Sequence, residues 1–345
     1  MKEADKKESP EYLRVSLSSA MWLDLKKGLF WRNAKSPCVN LLVTYDEGCY
    51  ANCAYCGLAR ARAGAWTKKS FIHVGWEKYP SAEIIRRVAE REDRVKRVCI
   101  SMITNKRCIG DTIEILGEFR KCSPVKLSVL ASPTIIGKSD MKAMKEAGAD
   151  KIGIAVDAAT PELFDKLRGK GVSGPHKWEL YWQRIEEAVT IFGNGNVGVH
   201  LISGVGETER EMCATLQRVH DSGAETHLFS FLAEPNSAME DVPQPEIGQY
   251  RRIQLARYMI DAGISSFSNF YFSDSGRVED FGISRERLDE VIDSGAPFET
   301  SGCAGPDGSV ACNRPYANTI IPEIRNFPFK PLKEDIEKIR AELFS

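Results

Sequence analysis

The sequence predicts an α/β protein: a full or nearly full (β/α) barrel of the TIM type, with parallel strands inside and helices outside. Three observations lead there. Short runs of apolar and β-branched residues alternate with segments of helical period along most of the chain. The runs are apolar on both faces, as parallel strands covered on both sides must be. There are eight of them in 345 residues, close to the usual length of such a barrel.

In chain order, residues 1–36 are polar and then helical in flavour, and read as an N-terminal arm. The barrel is expected over residues 37–300, with strands at 39–45, 97–102, 126–131, 151–156, 197–202, 227–232, 266–272 and, weakly, 297–300. Between them, Ser81 is placed to cap a helix whose buried stripe is Ile84, Ile85 and Val88. A second helix runs through Met141 and Met144 to a stop at Gly148. Longer ones are expected at 178–191, 207–222 and 247–262, the first carrying a core stripe of Trp178, Tyr181 and Trp182. Residues 301–345 form a closing loop and helix of the same domain. No low-complexity linker divides the chain.

Lys+Arg 47 against Asp+Glu 48 leaves a formal charge of −1, which excludes an electrostatic case for nucleic-acid or anionic-membrane binding. No uncharged apolar run approaches the roughly 18 residues of a membrane span. The charged start, MKEADKKESPEY, lacks a secretory stretch, so a cytoplasmic protein is expected. Ten cysteines in a reducing compartment are metal ligands or small packed hydrophobes rather than disulfides.

Spacing separates the two. Directly after the first expected strand stand Cys49, Cys53 and Cys56, a C-x3-C-x2-C triplet. Three thiolates so close can hold three corners of a cubic iron–sulfur cluster and leave one iron open to chelate a small molecule. A zinc site with a remote fourth ligand is the bland alternative. Loops after barrel strands are where such folds place their chemistry.

The triplet in this position, with aromatic Tyr55 before its last cysteine, resembles the hallmark of the radical S-adenosylmethionine (SAM) superfamily. The resemblance implies a [4Fe–4S] cluster on Cys49, Cys53 and Cys56, SAM on the open iron, and Tyr55 against the adenine. It implies reductive cleavage of SAM to a 5′-deoxyadenosyl radical, with ferredoxin or flavodoxin as electron donor. Residues 200–208 are similar to the family's G-x-I-x-G-x-x-E element. Ile202, Gly204 and Glu207 match, and His200 stands where the first glycine is expected. Asp157, ending the fourth strand, matches the acidic residue that binds ribose, or else caps a helix.

From about residue 39 to 315 the chain is most similar to biotin synthase and its relatives. Cys99 lies where biotin synthase has an auxiliary-cluster cysteine, but Ser128, Ser132 and Gly198 occupy the third and fifth strands without one, and Arg277 has an uncertain register. Biotin synthase itself is therefore not expected. Instead Cys303 and Cys312 frame a Gly/Pro/Asp loop ending in Asn313-Arg314-Pro315-Tyr316. This tail resembles that of the two-component lipoyl synthases of archaea and some anaerobic bacteria. The likeness implies sulfur insertion into the octanoyl chain of a lipoyl-carrier protein, shared with a related second subunit.

An unactivated C–H bond demands a radical, and the substrate radical then needs a sulfur held within contact. Cys303 and Cys312 are the expected ligands of a second iron–sulfur cluster, with Cys108 as third ligand, Cys99 as its alternative, and Ser301 as a weak fourth. Both C-terminal cysteines are expected on the active-site face. Cys38, Cys122 and Cys213 read as packed thiols. His73, His176, His220 and His227 carry no specific signal, and Arg60 and Arg62 read as cofactor, carrier or solvent contacts. Two other readings stay open: a radical rearrangement or cofactor-maturation enzyme of the methylornithine-synthase or hydrogenase-maturase kind, and a non-enzymatic zinc or iron–sulfur protein.

Overall fold

The computed structural model describes residues 6–344. Ten helices and ten strands are described: β1 (Tyr12–Ser16), α1 (Leu17–Trp22), β2 (Cys38–Val43), β3 (Trp76–Pro80), α2 (Ser81–Ala89), β4 (Arg97–Ser101), α3 (Cys108–Cys122), β5 (Lys126–Ala131), α4 (Lys138–Glu146), β6 (Lys151–Asp157), α5 (Pro161–Arg168), α6 (Trp178–Phe192), β7 (Val197–Ser203), α7 (Glu209–Asp221), β8 (Glu225–Ser230), α8 (Ile247–Asp261), β9 (Tyr271–Phe272), β10 (Val278–Asp280), α9 (Arg285–Ser294) and α10 (Lys333–Leu343). The main sheet has the order β3-β1-β2-β4-β5-β6-β7-β8. Its last six strands, β2 through β8, pair in parallel, which is the expected α/β arrangement with helices outside.

Two departures reshape it. The arm is part of the sheet: β1 pairs antiparallel with both β2 and β3. Tyr12–Ser16 is short and its inner positions are buried, so burial decides where local polarity misled. The seventh and eighth expected strands are not in the sheet. Around residue 267 the Ser-rich segment makes a 3-10 turn, then the small β9–β10 hairpin. At 296–298 another 3-10 turn follows Gly295 in the left-handed region, and Pro297 has no N–H to give a ladder.

The gap between β3 and β8 is closed by the C-terminal segment. Leu228 N donates to Ser301 Oγ at 2.8 Å on the β8 side, and Asn318 N donates to Ile72 O at 3.1 Å on the other. Thus the open strand edge is covered without further strands. Behind β8, α8 carries buried arginines: Arg252 pairs with Glu209 of α7 at 2.7 Å and Arg251 with Glu342 of α10 at 2.9 Å.

Along the parallel strands one set of alternate residues faces the helices: Leu41, Val98, Ile100, Leu127, Ile152, Ile154, Val199 and Leu201 are fully buried there. The other set faces the barrel interior and is small or polar: Asn40, Cys99, Ser101, Ser128, Gly153, His200 and His227. Period two thus separates scaffold from site. Ser81 is the first residue of α2 rather than its cap, and its hydroxyl donates to Pro10 O at 2.5 Å.

Candidate active site

A cavity runs along the barrel axis from Tyr55, Cys56 and Asp157 at the C-terminal ends of the strands to Cys99, Cys303 and Cys312 at the other end. Its walls between are mainly apolar, with Phe71, Ile72, Leu130, Ile202, Phe229 and Phe231.

At the upper end, the loop after β2 holds the triplet. Gly48 has φ +73°, and a side chain there would meet the Trp66 ring at 2.8 Å, so the loop turns tightly into Cys49. Thr104 N donates to Cys49 Sγ and Leu58 N to Cys56 Sγ, each at 3.4 Å. Backbone donors aimed at sulfur are what stabilises cluster-bound thiolates. Burial pushes the Cys53 thiol up to about 11, partly opposed by the charge of Arg168, and lifts Cys56 well above its ordinary value. Iron must therefore displace these protons on binding.

Tyr55 donates its hydroxyl to Asp157 Oδ2 at 2.5 Å. Asp157 adopts φ +67° at the end of β6, a left-handed backbone uncommon for a non-glycine residue and typical of functional turns. Arg168 Nη1 reaches the same carboxylate at 2.7 Å and is itself buried. Burial raises the Asp157 carboxyl above its ordinary range, against the pull of Arg168 and Tyr55. Arg168 in turn donates to the Tyr181 hydroxyl at 3.0 Å, which lies 2.9 Å from His176 Nδ1. Arg168, which holds Asp157, and His176, which props Tyr181 behind it, are residues that sequence reasoning passed over. Their signal was weak, since both lie outside any motif.

Ile202 lines the cavity and packs in a small cluster with Ala54, Tyr55, Leu167, Val205 and Phe231, an apolar slot beside the triplet. Glu207 accepts from Gly204 N at 2.6 Å and Val205 N at 3.0 Å, so its carboxylate shapes the β7 turn. Gly204 has φ +98°, and a Cβ there would lie 2.4 Å from Pro245. Arg60 donates to Ser173 O and Arg62 to Gly57 O and Ser70 O; Arg60 ties the triplet loop to the segment after α5, and Arg62 braces its own loop. Arg277 is exposed in the β9–β10 hairpin and does not line the cavity.

The lower end differs from expectation. The C-terminal loop lies at the N-terminal ends of the strands, opposite the triplet: Arg97, first residue of β4, donates to Ala304 O at 2.8 Å, and Asn313 donates to Lys35 O at 2.8 Å. Cys303 and Cys312 therefore enter the barrel from below. Cys108, at the start of α3, belongs to the upper end, where its thiol donates to Ile103 O at 3.2 Å; it does not line the cavity. A loop following β4 cannot reach the opposite end of the barrel. Cys99, the alternative, projects inward from β4 and lines the cavity with Cys303 and Cys312. Cys38, read as a bystander, packs against Cys99, Cys303 and Cys312. Cys122 is exposed rather than packed, and Cys213 is buried as expected.

These lower thiols are unequal. Cys99, Cys303 and Cys312 line the cavity, whereas Cys38 lies behind them. The hydrogen bond from Cys38, with help from the charges of Arg314 and Arg97, pulls the Cys312 thiol below its ordinary value, while burial pushes Cys303 up. Asn40 Oδ1 is 3.5 Å from Cys312 Sγ, and Arg314 holds Ser301 O at 2.8 Å. Among the described residues no three His, Cys, Asp or Glu side chains close on one metal ion; ligands of a cluster stand one to each iron and so further apart.

A parallel α/β barrel with a C-x3-C-x2-C loop above its first parallel strand and an apolar slot beside it defines a cofactor-radical enzyme class. The model of the radical SAM superfamily matches residues 44–219, slightly more than half the chain, and the chain belongs to that superfamily. It is a radical SAM enzyme whose cofactors are a [4Fe–4S] cluster and SAM.

Among solved structures it is similar to methylornithine synthase PylB, at 12% identity and TM-score 0.48 over 80% of this chain and 83% of that one. It is also similar to HydG, a maturase of the [FeFe]-hydrogenase, at 14% identity and TM-score 0.51, covering 65% of this chain and 50% of HydG. A third is the radical SAM methyltransferase TsrM from Kitasatospora setae, with cobalamin and a [4Fe–4S] cluster bound, at 15% identity and TM-score 0.42 over 91% and 53%. Such likeness speaks to fold alone. No curated protein matches the chain by sequence. No helix of the described residues is long and apolar enough to cross a membrane.

Proposed function

We propose that this chain is a radical SAM sulfurtransferase, a lipoyl synthase subunit that inserts sulfur into the octanoyl chain of a lipoyl-carrier protein. One observation carries the reading: a single, mainly apolar cavity has Cys56 of the Cys49/Cys53/Cys56 loop at one end and Cys99, Cys303 and Cys312 at the other. An aliphatic chain suits such walls, and a substrate carbon between the groups has a radical source on one side and a sulfur source on the other.

Cys49, Cys53 and Cys56 hold the [4Fe–4S] cluster in this reading, and Cys99, Cys303 and Cys312 a second cluster. When bound, the upper cluster and SAM, with one electron from a ferredoxin or flavodoxin, would supply methionine and a 5′-deoxyadenosyl radical able to take one hydrogen atom from the octanoyl chain, and the lower cluster would supply both the sulfide for the new C–S bond and a ferric iron to take up the electron that this bond releases. The protein's own part is placement. Asp157, held by Tyr55 and Arg168, offers an acceptor for ribose hydroxyls. Ile202 and Phe231 exclude water from the adenine slot, which protects a radical from quenching. Cys38 and Arg314 lie against Cys312. A related subunit is proposed to share the two insertions, and the reducing cytoplasm to keep all these thiols free.

The test is anaerobic reconstitution followed by iron and sulfide analysis, Mössbauer spectra and an octanoyl-carrier assay read by mass. Two clusters per chain and a carrier that gains sulfur are expected. Loss of the gain, but not of SAM cleavage, is expected in C303A/C312A. One cluster per chain, or sulfur gain unaffected by those substitutions, would overturn the reading in favour of rearrangement or cofactor maturation.

A further inference from the structure

The lower chamber holds two histidines that no step above employs. His200 and His227 stand on neighbouring strands with ring centroids 5.1 Å apart, and both line the cavity. Their presence depends on two glycines. A Cβ on Gly198 would lie 2.5 Å from His227 Cε1, and one on Gly153 would lie 3.2 Å from Leu130 and 3.5 Å from His200 Nε2. Gly153 and Gly198 are paired across β6 and β7, so the sheet forms a side-chain-free niche there and the imidazoles occupy its rim.

His227 is 3% exposed, and its Nε2 has no hydrogen-bond partner. A buried polar atom of this kind costs free energy unless something completes it. Its neighbours say what that is. His227 and Cys303 line the same cavity, and Leu228, the next residue, donates its N–H to the hydroxyl of Ser301, two residues before Cys303. His227 therefore belongs to the Cys303 side of the chamber. Meanwhile the fourth thiol, Cys38, lies behind Cys312 and outside the cavity. Three cysteines face the space, and beside them, among the described residues, His227 Nε2 is a buried nitrogen without a hydrogen-bond partner.

We propose that His227 Nε2 is the fourth protein ligand of the lower iron–sulfur cluster, completing a Cys99/Cys303/Cys312/His227 set. This rests on the second-cluster reading above and deepens it. With its proton on Nδ1, the neutral ring presents a lone pair at Nε2, and the iron–nitrogen bond forms without displacing a proton there. An imidazole is neutral where a thiolate is anionic, so the cluster carries one negative charge fewer and has a higher reduction potential. A cluster that must surrender sulfide then binds at one iron through its weakest protein ligand. Ser301, the earlier candidate for that role, already accepts from Leu228.

The experiment uses the full chain with Cys49, Cys53 and Cys56 replaced by alanine, so that only the lower cluster remains, reconstituted and reduced. Electron spin echo and pulsed double-resonance spectra are recorded after 15N-histidine labelling. Directly coordinated nitrogen is expected, lost in H227A and retained in H200A. His227→Cys is expected to keep the iron and lower the potential, which guards against a variant that merely misfolds. A cluster present without histidine coupling, or with coupling surviving H227A, overturns this ligand assignment alone. No cluster in the starting variant overturns the assignment and the second-cluster reading together.

Discussion

The two ends of the barrel each gather three thiols, by opposite means. At the upper end, three thiols come from one loop of eight residues, and backbone N–H groups of Thr104 and Leu58 reach their sulfurs. At the lower end, Cys99 comes from a strand while Cys303 and Cys312 arrive from a plug near the C-terminus, bonded to Arg97 and Lys35. A local motif holds its geometry through its own backbone. An assembled group depends on the whole fold, so its thiols are held only as firmly as the closure of the barrel.

The sharpest way to break this comparison is to empty one end at a time. Replacing Cys49, Cys53 and Cys56 by alanine should abolish 5′-deoxyadenosine formation altogether and leave the lower cluster in place. The smaller but still severe change is Arg168→Met. It leaves the Asp157 carboxylate buried without its cation, at a cost of about 3–5 kcal/mol, seen as a lower urea midpoint. SAM binding by calorimetry should weaken while the iron bound by the lower thiols is unchanged. Equal loss at both ends would show that they are not independent.

Gly198→Ala tests the lower end in the same spirit. Its Cβ would collide with the His227 ring at 2.5 Å, and overpacking of this kind costs about 1–3 kcal/mol. The upper cluster and SAM cleavage should persist, with the loss confined to iron at the lower site. Cys108→Ala should do least among the cysteine changes: about 1 kcal/mol from a small buried thiol, with total iron unaltered. Fewer irons in that variant would return Cys108 to the ligand set and undo the assignment of the lower end.

What was legible follows the same division. All six parallel strands and the triplet were readable because their signals are local: apolar runs of strand length and three cysteines within eight residues. The seventh and eighth strands were misread because short runs such as 266–272 have strand-like composition, yet nothing in them says that a covering segment replaces a ladder. Cys38 and Cys99 were undervalued because their meaning comes from facing, not spacing. The signal was present in period two: Cys38-x-Asn40, Arg97-x-Cys99-x-Ser101 and Gly198-x-His200 put polar or small residues on the inward face of strands otherwise apolar. Position 303 or 312 could join them only through a closure that no local pattern announces.

The buried histidines sharpen the contrast at the level of single atoms. His176, on the upper side, has Nδ1 2.6 Å from Thr134 Oγ1 and 2.9 Å from the Tyr181 hydroxyl. Burial, then the nearby Arg168 charge, pushes its pKa down to about 2. From pH 6.5 down towards 2 the unfolded chain binds the extra proton and the folded one does not, so this group's contribution is complete above pH 6.5 and falls away as acid is added. Replacement by asparagine should flatten the acid limb of urea stability by at most about 1.4 kcal/mol per pH unit, while lower-site iron stays constant. Parallel limbs for the two proteins would mean that His176 takes up its proton in the folded state. A histidine whose Nδ1 has two hydroxyl partners is thus a structural prop of the Arg168–Tyr181 network, and it is the buried, unpartnered Nε2 of His227 that sets the proposed ligand apart from it.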